Sequence, residues 1–404
     1  MGKSLKIAVT NLWNNSGGGT RVALHITNIL LEEGHRVDLH SLGGPQIELL
    51  DRVHGTSLTP HIGKNLKVKY YLVKGIQRRI LPKITISALK LFYKIVTEIL
   101  SQRRYDVVFL FDDLPNINFE RTDSTIVLYS HFPLAARIVY NIYDELDTDP
   151  EYYKYIVNAR LAKERVKRKL LKNLFHIGST SDLNNVKIVA NSTVTSIFAK
   201  KIWGRVDQII YPLVNYSPSF HREFEKKENI VITLGAVSPN KYHGVVIDAF
   251  SRVRSGKLIV MGALVDNRYL SFLFKKIKTL NLENRVYIAY NVPENIKWNI
   301  LLKSKALAHA KRFEPFGIAV AEAMSTGTIP IVYKGSASGP WIDIIDRGRY
   351  GLGFRSVEDL EERIEHVFAL EERDLKDFVE KCKERSWMFS LDRFREELMD
   401  IVGG

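Results

Sequence analysis

The chain has 404 residues, 45% of them hydrophobic and 26% charged, the balance of a globular protein too long for one ordinary core. Its single cysteine, Cys382, excludes an intramolecular disulfide framework and a cysteine-based zinc cluster. The charge is lopsided: residues 1–215 carry 30 Lys and Arg against 19 Asp and Glu, and residues 216–404 carry 29 against 26, so the first half is the part built to face something anionic.

The N-terminus runs straight into a strand, Lys6–Thr10, with no signal-peptide pattern, and a cytoplasmic location is expected from it. A glycine-rich turn, Ser16-Gly17-Gly18-Gly19, follows, then a helical pattern over Arg21–Glu33 that stops at Gly34, and a second strand, Arg36–Leu42. After Pro82 a helical pattern places Ala88, Leu89, Phe92, Ile95, Val96, Ile99 and Leu100 on one face, flanked by Arg78, Arg79, Lys83, Arg103 and Arg104. It is too short and too interrupted to span a membrane, and no run of about 18 apolar residues occurs elsewhere. A second basic run, RLAKERVKRKLLK, covers Arg160–Lys172. Two readings fit these segments: a core-packed helix and a solvated helix face, or a surface for anionic lipid headgroups, where each Lys or Arg adds about 1 kcal/mol. Strand-length apolar runs follow at Asp106–Phe111, Thr125–Tyr129, Val186–Ala190 and Gln208–Tyr211.

The second half repeats the alternation, with strands expected at Ile230–Leu234, Lys257–Met261, Arg285–Ala289, Lys305–His309 and Thr328–Val332. Pro212–Lys227 reads as the linker. The expected fold class is therefore α/β, two doubly wound Rossmann-like domains at 1–215 and 216–390, with a final helix from about Leu391 to residue 404.

Candidate site residues sit where strands end. Gly17, Gly18 and Gly19 let backbone approach a ligand closely, although a plain tight turn explains them equally, and neither a G-x-G-x-x-G fingerprint nor a P-loop is present. Asp112 and Asp113 follow one strand and suit acceptor hydroxyls or a helix cap. His131 follows the next, in Tyr-Ser-His-Phe-Pro, and Lys241 follows the first strand of the second half, where a lysine meets a diphosphate or merely decorates a loop. The densest segment is HAKRFEPFGIAVAEAMSTGTIPIVYKGSASGP, residues 309–340. Glu314 and Glu322 stand eight apart in it, one before a helix and one about two turns inside it. A glycosidase needs two carboxyls facing one scissile bond, which this placement does not favour, so binding roles fit better. Pro315 suits the first helical position, leaving free amides for anionic oxygens.

At these residues the chain resembles family 4 retaining glycosyltransferases of the GT-B fold. The resemblance is carried by Glu314-Pro315-Phe316-Gly317-Ile318 through Glu322, by Gly327-Thr328 and Gly339-Pro340, and by Gly17–Gly19, Ser130-His131-Phe132-Pro133, Asn191-Ser192, Gly235 to Lys241 and Arg385-Ser386-Trp387-Met388-Phe389-Ser390. The run Gly335–Ile345, GSASGPWIDII, is similar to mannosyltransferases that extend dolichol-linked oligosaccharides. The resemblance implies a hexose donor, GDP-mannose or a UDP-sugar, with no metal required. It implies that Glu314 holds donor-sugar hydroxyls, Glu322 the ribose, amides around Phe316, Gly317 and Ile318 the sugar and phosphates, and Lys241 the departing diphosphate. It also places His131 beside the reacting sugar, Gly17–Gly19 over the diphosphate, and the last helix against the first domain. One departure stands out: the pattern usually has arginine directly after the glycine, and this chain has Ala236, with Lys311 or Arg312 as possible substitutes. A polyprenyl-phosphate-linked or other anionic lipid acceptor and peripheral contact with an anionic membrane are expected. The alternative reading is a soluble glycosyltransferase with a small-molecule or storage-sugar acceptor. Nucleic acid is not expected as a partner, because the basic residues lack interleaved stacking aromatics.

Overall fold

The computed structural model describes residues 3–11, 17–71, 86–102, 104–117, 119, 122–140, 172–181, 183–214 and 226–403. Backbone contacts divide the chain into two units. The first holds the described residues of Met1–Asn141 and Leu161–Pro212 together with Asp392–Gly404, and the second holds Leu213–Leu391.

The first unit is built on seven strands: β1 (Lys6–Thr10), β2 (Arg36–Ser41), β3 (Leu66–Tyr70), β4 (Val107–Phe111), β5 (Thr125–Ser130), β6 (Val186–Ala190) and β7 (Gln208–Ile209). They lie in the order β3-β2-β1-β4-β5-β6-β7, all parallel. The second unit has six: β8 (Glu228–Leu234), β9 (Lys257–Gly262), β10 (Val286–Tyr290), β11 (Ser304–His309), β12 (Ile329–Tyr333) and β13 (Leu352–Phe354). Their order is β10-β9-β8-β11-β12-β13, again parallel throughout. Continuous apolar runs such as Ile7–Val9 and Ile329–Val332 form the central strands because parallel strands are covered on both faces. In each sheet the winding reverses between two adjacent strands, β1 and β4 or β8 and β11, and such a reversal opens a crevice at the carboxyl ends.

The two strands missing from the sequence expectation, β3 and β13, both lie at sheet edges. β3 alternates as Leu-Lys-Val-Lys-Tyr inside a stretch dominated by basic residues, and β13 is three residues with a central glycine. The helix after Pro82 runs Ile86–Ser101 and buries Ile95, Val96, Ile99 and Leu100, so its described apolar face belongs to the core of its own unit. Arg78, Arg79, Lys83, Arg103 and nearly all of Arg160–Lys172 lie outside the described residues, as does 215–225 of the expected linker. Among the described residues no helix is long and apolar enough to cross a membrane.

The last helix, Leu391–Gly403, packs within the first unit. Phe394 meets the Tyr129 ring edge-on at 6.2 Å, Lys187 Nζ donates to the Ile401 carbonyl at 2.9 Å, and Arg395 pairs with Glu32 and Glu33.

Candidate active site

In the second unit the site is built on the ends of β8 and β11. β8 ends at Leu234, and Gly235 then adopts φ +155°, a conformation that disfavours any side chain. A Cβ there would press on the Lys241 stem at 3.2 Å. Its neighbour Gly262, at the end of β9, approaches so closely that a Cβ would fall 1.8 Å from the Gly235 carbonyl oxygen. The bare backbone therefore leaves room for the Lys241 side chain, which rises from the turn Pro239–Lys241.

Lys241 Nζ donates to Glu314 Oε2 at 3.0 Å. The same oxygen lies 3.8 Å from Lys311 Nζ and 3.6 Å from His309 Nε2, the latter too long for a hydrogen bond. Burial alone would raise the Glu314 carboxyl, but Lys241, Lys311 and His309 together hold it well below the usual carboxylate range. Burial pushes His309 down, opposed by Glu314. His309 Nε2 is buried and has no hydrogen-bond partner among the described residues. His243, also buried, is pushed down to about 4 by desolvation and is neutral. Its Nε2 lies 3.0 Å from the Ala236 carbonyl oxygen and its Nδ1 3.0 Å from Thr233 Oγ1, which fixes the turn between β8 and Lys241. Neither histidine is flagged by a motif; His309 is visible only as the last residue of a strand beside Lys311 and Glu314.

Glu314 is held by its own backbone. Its N–H donates to the Ala337 carbonyl at 3.2 Å, and its carbonyl accepts from Gly339 N–H at 2.7 Å. Gly339 adopts an ordinary helical φ of −58°, so glycine is needed there for space, not for conformation. Behind this loop Phe316 meets Phe389 edge-on at 5.3 Å, and Arg385 donates to the carbonyls of Ile344 and Asp343. The helix expected to begin at Pro315 begins at Ile318 instead. Gly317 precedes it with φ +95°, a left-handed conformation that an α-helix cannot include, so Pro315 stays outside. Inside that helix Glu322 is buried, with Oε2 3.5 Å from Lys297 Nζ. Arg312 is exposed and lies over the Tyr333 ring at 5.8 Å, while Lys311 is buried beside Glu314.

In the first unit the corresponding strand ends are those of β1, β4 and β5. Asp112 follows β4 with φ +67°, a strained conformation that aspartate tolerates better than most residues. Its Oδ1 accepts from His131 N–H at 3.1 Å and lies 3.0 Å from His131 Nδ1. Burial would raise the Asp112 carboxyl, but His131 holds it down. The His131 carbonyl accepts from Thr195 Oγ1 at 2.8 Å, a hydroxyl that also reaches Asn191 Oδ1 at 2.7 Å. His131 Nε2 is left buried, with no hydrogen-bond partner among the described residues. Asp113 serves the next turn: its oxygens accept from Leu134 N–H and Ala135 N–H, and burial pushes its carboxyl up to about 7. Gly17 is the N-cap of the helix Gly18–Glu32, so Gly18 and Gly19 are helical, three residues earlier than the sequence pattern begins. A Cβ on Gly19 would touch the His131 ring at 3.4 Å.

Residues 218–385 match the family model described as glycosyl transferases group 1. A human protein named GDP-Man:Man(3)GlcNAc(2)-PP-Dol alpha-1,2-mannosyltransferase is 25% identical over 215 residues, 48% of this chain and 42% of that one. The chain spans about half the length of the curated relatives it matches. The crystal structure of WaaG, a glycosyltransferase involved in lipopolysaccharide biosynthesis, covers 98% of this chain and 100% of its own, with TM-score 0.68 and 15% identity. That of Anabaena Alr3699/HepE in complex with UDP and glucose covers 99% of each chain, with TM-score 0.64 and 16% identity. The two parallel sheets with reversed winding are those of the GT-B fold, and the residues that match the group 1 family model lie in the second unit.

Proposed function

We propose that the protein is a retaining glycosyltransferase that moves a hexose, mannose or glucose, from a nucleotide-sugar to a lipid-phosphate-linked acceptor. The observation that carries this reading is the Lys241–Glu314 pair at the strand ends of a group 1 domain. Glu314, kept ionised, accepts hydrogen bonds from donor-sugar hydroxyls. Lys241 neutralises the charge that builds on the leaving diphosphate as the anomeric carbon becomes oxocarbenium-like. The bond from that carbon to the diphosphate oxygen breaks, the acceptor oxygen bonds to the same face, and the acceptor proton passes to the leaving phosphate. Glu322 takes the ribose, and the amides of Phe316, Gly317 and Ile318 take phosphate and sugar oxygens. In the first unit His131, oriented by Asp112, is assigned to the reacting sugar, and Gly17, Gly18 and Gly19 to the diphosphate.

GDP-mannose is the donor favoured by the names of the curated relatives, and a UDP-sugar by the HepE complex. The dolichol-linked relatives and the basic first half support a polyprenyl-phosphate-linked acceptor at a cytoplasmic membrane face. A soluble acceptor, a small molecule or storage sugar, is the second reading. It is favoured by one observation: Ile95, Val96, Ile99 and Leu100 of the helix Ile86–Ser101 are buried in the protein's own core. Two assays test the proposal. Glu314→Gln, which keeps shape and removes charge, abolishes transfer from GDP-mannose or UDP-glucose; full activity in that variant sinks the assigned role. Flotation with anionic liposomes separates the acceptors, because the soluble reading predicts no binding.

A further inference from the structure

Two lysines converge on one oxygen of Glu314, from different elements and with different exposure. Lys241 comes from the turn after β8 and its side chain is 25% exposed. Lys311 comes from the end of β11, two residues past His309, and its side chain is 8% exposed. Under the function proposed above, on which this inference rests, Lys241 has two claims on it. In the structure it holds Glu314, and during transfer it must meet a diphosphate. One ammonium cannot sit on both anions at full strength. If Lys241 turns to the diphosphate, Glu314 stays buried in its backbone clamp with its main counter-charge drawn off. A buried carboxylate in that state takes a proton or moves, because uncompensated buried charge is costly. Either change would spoil its grip on sugar hydroxyls.

We propose that Lys311 is the positioning residue that keeps Glu314 ionised and in place when the donor's diphosphate draws Lys241 away. Lys311 Nζ stands 3.8 Å from Glu314 Oε2, within charge-pairing distance, so it acts on the carboxylate from where it already is. The neighbouring candidates are excluded by position. Arg312 is exposed and stacked over Tyr333. His309 is held down by burial and adds little positive charge. His243 is neutral and engaged with Ala236 and Thr233. Ala236, directly after Gly235, has no charge to lend.

The test compares Lys311→Met and Lys311→Arg with the unchanged chain. The measurements are steady-state transfer from the nucleotide-sugar across pH, and equilibrium binding of GDP and UDP. The expected result for Lys311→Met is a kcat lower by about 10–100-fold, with nucleotide affinity within about threefold of the unchanged chain. Its acid limb of kcat moves up by about one pH unit, because Glu314 now protonates sooner as pH falls. Lys311→Arg restores both. A Lys311→Met enzyme with unchanged kcat and acid limb overturns the proposal. So does one that loses GDP and UDP binding with its acid limb unmoved, since Lys311 would then be a phosphate ligand. If Lys311→Met does not fold, Lys311→Gln carries the same comparison. Failure of the unchanged chain to bind or turn over any nucleotide-sugar would remove the underlying function itself, a distinct result.

Discussion

Replacing Gly339 with alanine tests whether backbone contact holds the Glu314 carboxylate in place. An alanine Cβ at that position would lie 1.8 Å from the Pro315 carbonyl oxygen and 2.9 Å from Phe316 Cα. That is roughly 2 Å short of ordinary contact. Both obstacles are backbone, so no side chain can swing aside. The φ of Gly339 is one that alanine adopts freely, so the whole penalty comes from overlap and none from the dihedral. The loop must part from Glu314–Pro315, breaking Gly339 N–H to the Glu314 carbonyl and Glu314 N–H to the Ala337 carbonyl. Two such bonds contribute about 1–3 kcal/mol together, and overpacking adds about 1–3 kcal/mol. The expected cost is about 2–6 kcal/mol, a fall in melting temperature on the order of 10 °C for a unit of this size. Calorimetry with urea melts measures it, and donor turnover is read in parallel, where Glu314→Gln sets the floor. Gly403→Ala is the control: nothing lies within 4 Å of its added Cβ, so it should leave stability and turnover unchanged. Gly339→Ala melting within about 1 °C of the unchanged chain, with full turnover, would refute the packing argument.

Two further predictions follow from the titrating groups. Asp112→Asn keeps the shape of the His131 clamp but removes its charge, and should lower kcat by about 10–100-fold through misplacement of the ring; an unchanged kcat would assign the pair to folding alone. His25, His40 and His243 are each pushed down to about 4, with burial the first cause in every case. Their sign is fixed: the unfolded chain binds these protons near pH 6.5 and the native state only near 4, so the unfolded state gains protons first. Stability is therefore full above about pH 6.5 and falls as pH drops toward 4, by an amount on the order of 3 kcal/mol per histidine. The urea midpoint should fall across that window as pH drops, and His243→Gln should remove part of that fall in the second unit.

The sheet scaffold was legible because buried parallel strands are largely apolar runs, and β4, β5 and their like need no partner to be recognised. The edges were not. β3 reads as a basic stretch because only one of its faces is buried, and β13 is too short to show any period. The same logic divides the site. Glu314 and Glu322 stand out by their spacing, but His309 and His243 are single histidines whose neighbours are set by strand register and turn geometry. The choice between Lys311 and Arg312 is finer still. They are adjacent in sequence, and only the direction in which β11 ends decides which one points toward Glu314 and which one lies over Tyr333.

That direction also bears on what the pair does. A carboxylate gripped by Lys241 at 3.0 Å is, before any donor arrives, already bonded to a cation. Under the proposed function, a nucleotide-sugar competes for Lys241 through its diphosphate and for Glu314 through its hydroxyls at once. A free sugar offers no anion to draw Lys241 off, and a free nucleotide diphosphate offers no hydroxyl pair to Glu314. Each should bind less tightly than the intact donor by more than its missing contacts alone would predict. Competition titrations of GDP, UDP, mannose and glucose against the intact donors measure that difference. Fragments whose binding free energies simply add up to the donor's would mean that the Lys241–Glu314 bond is not broken on binding.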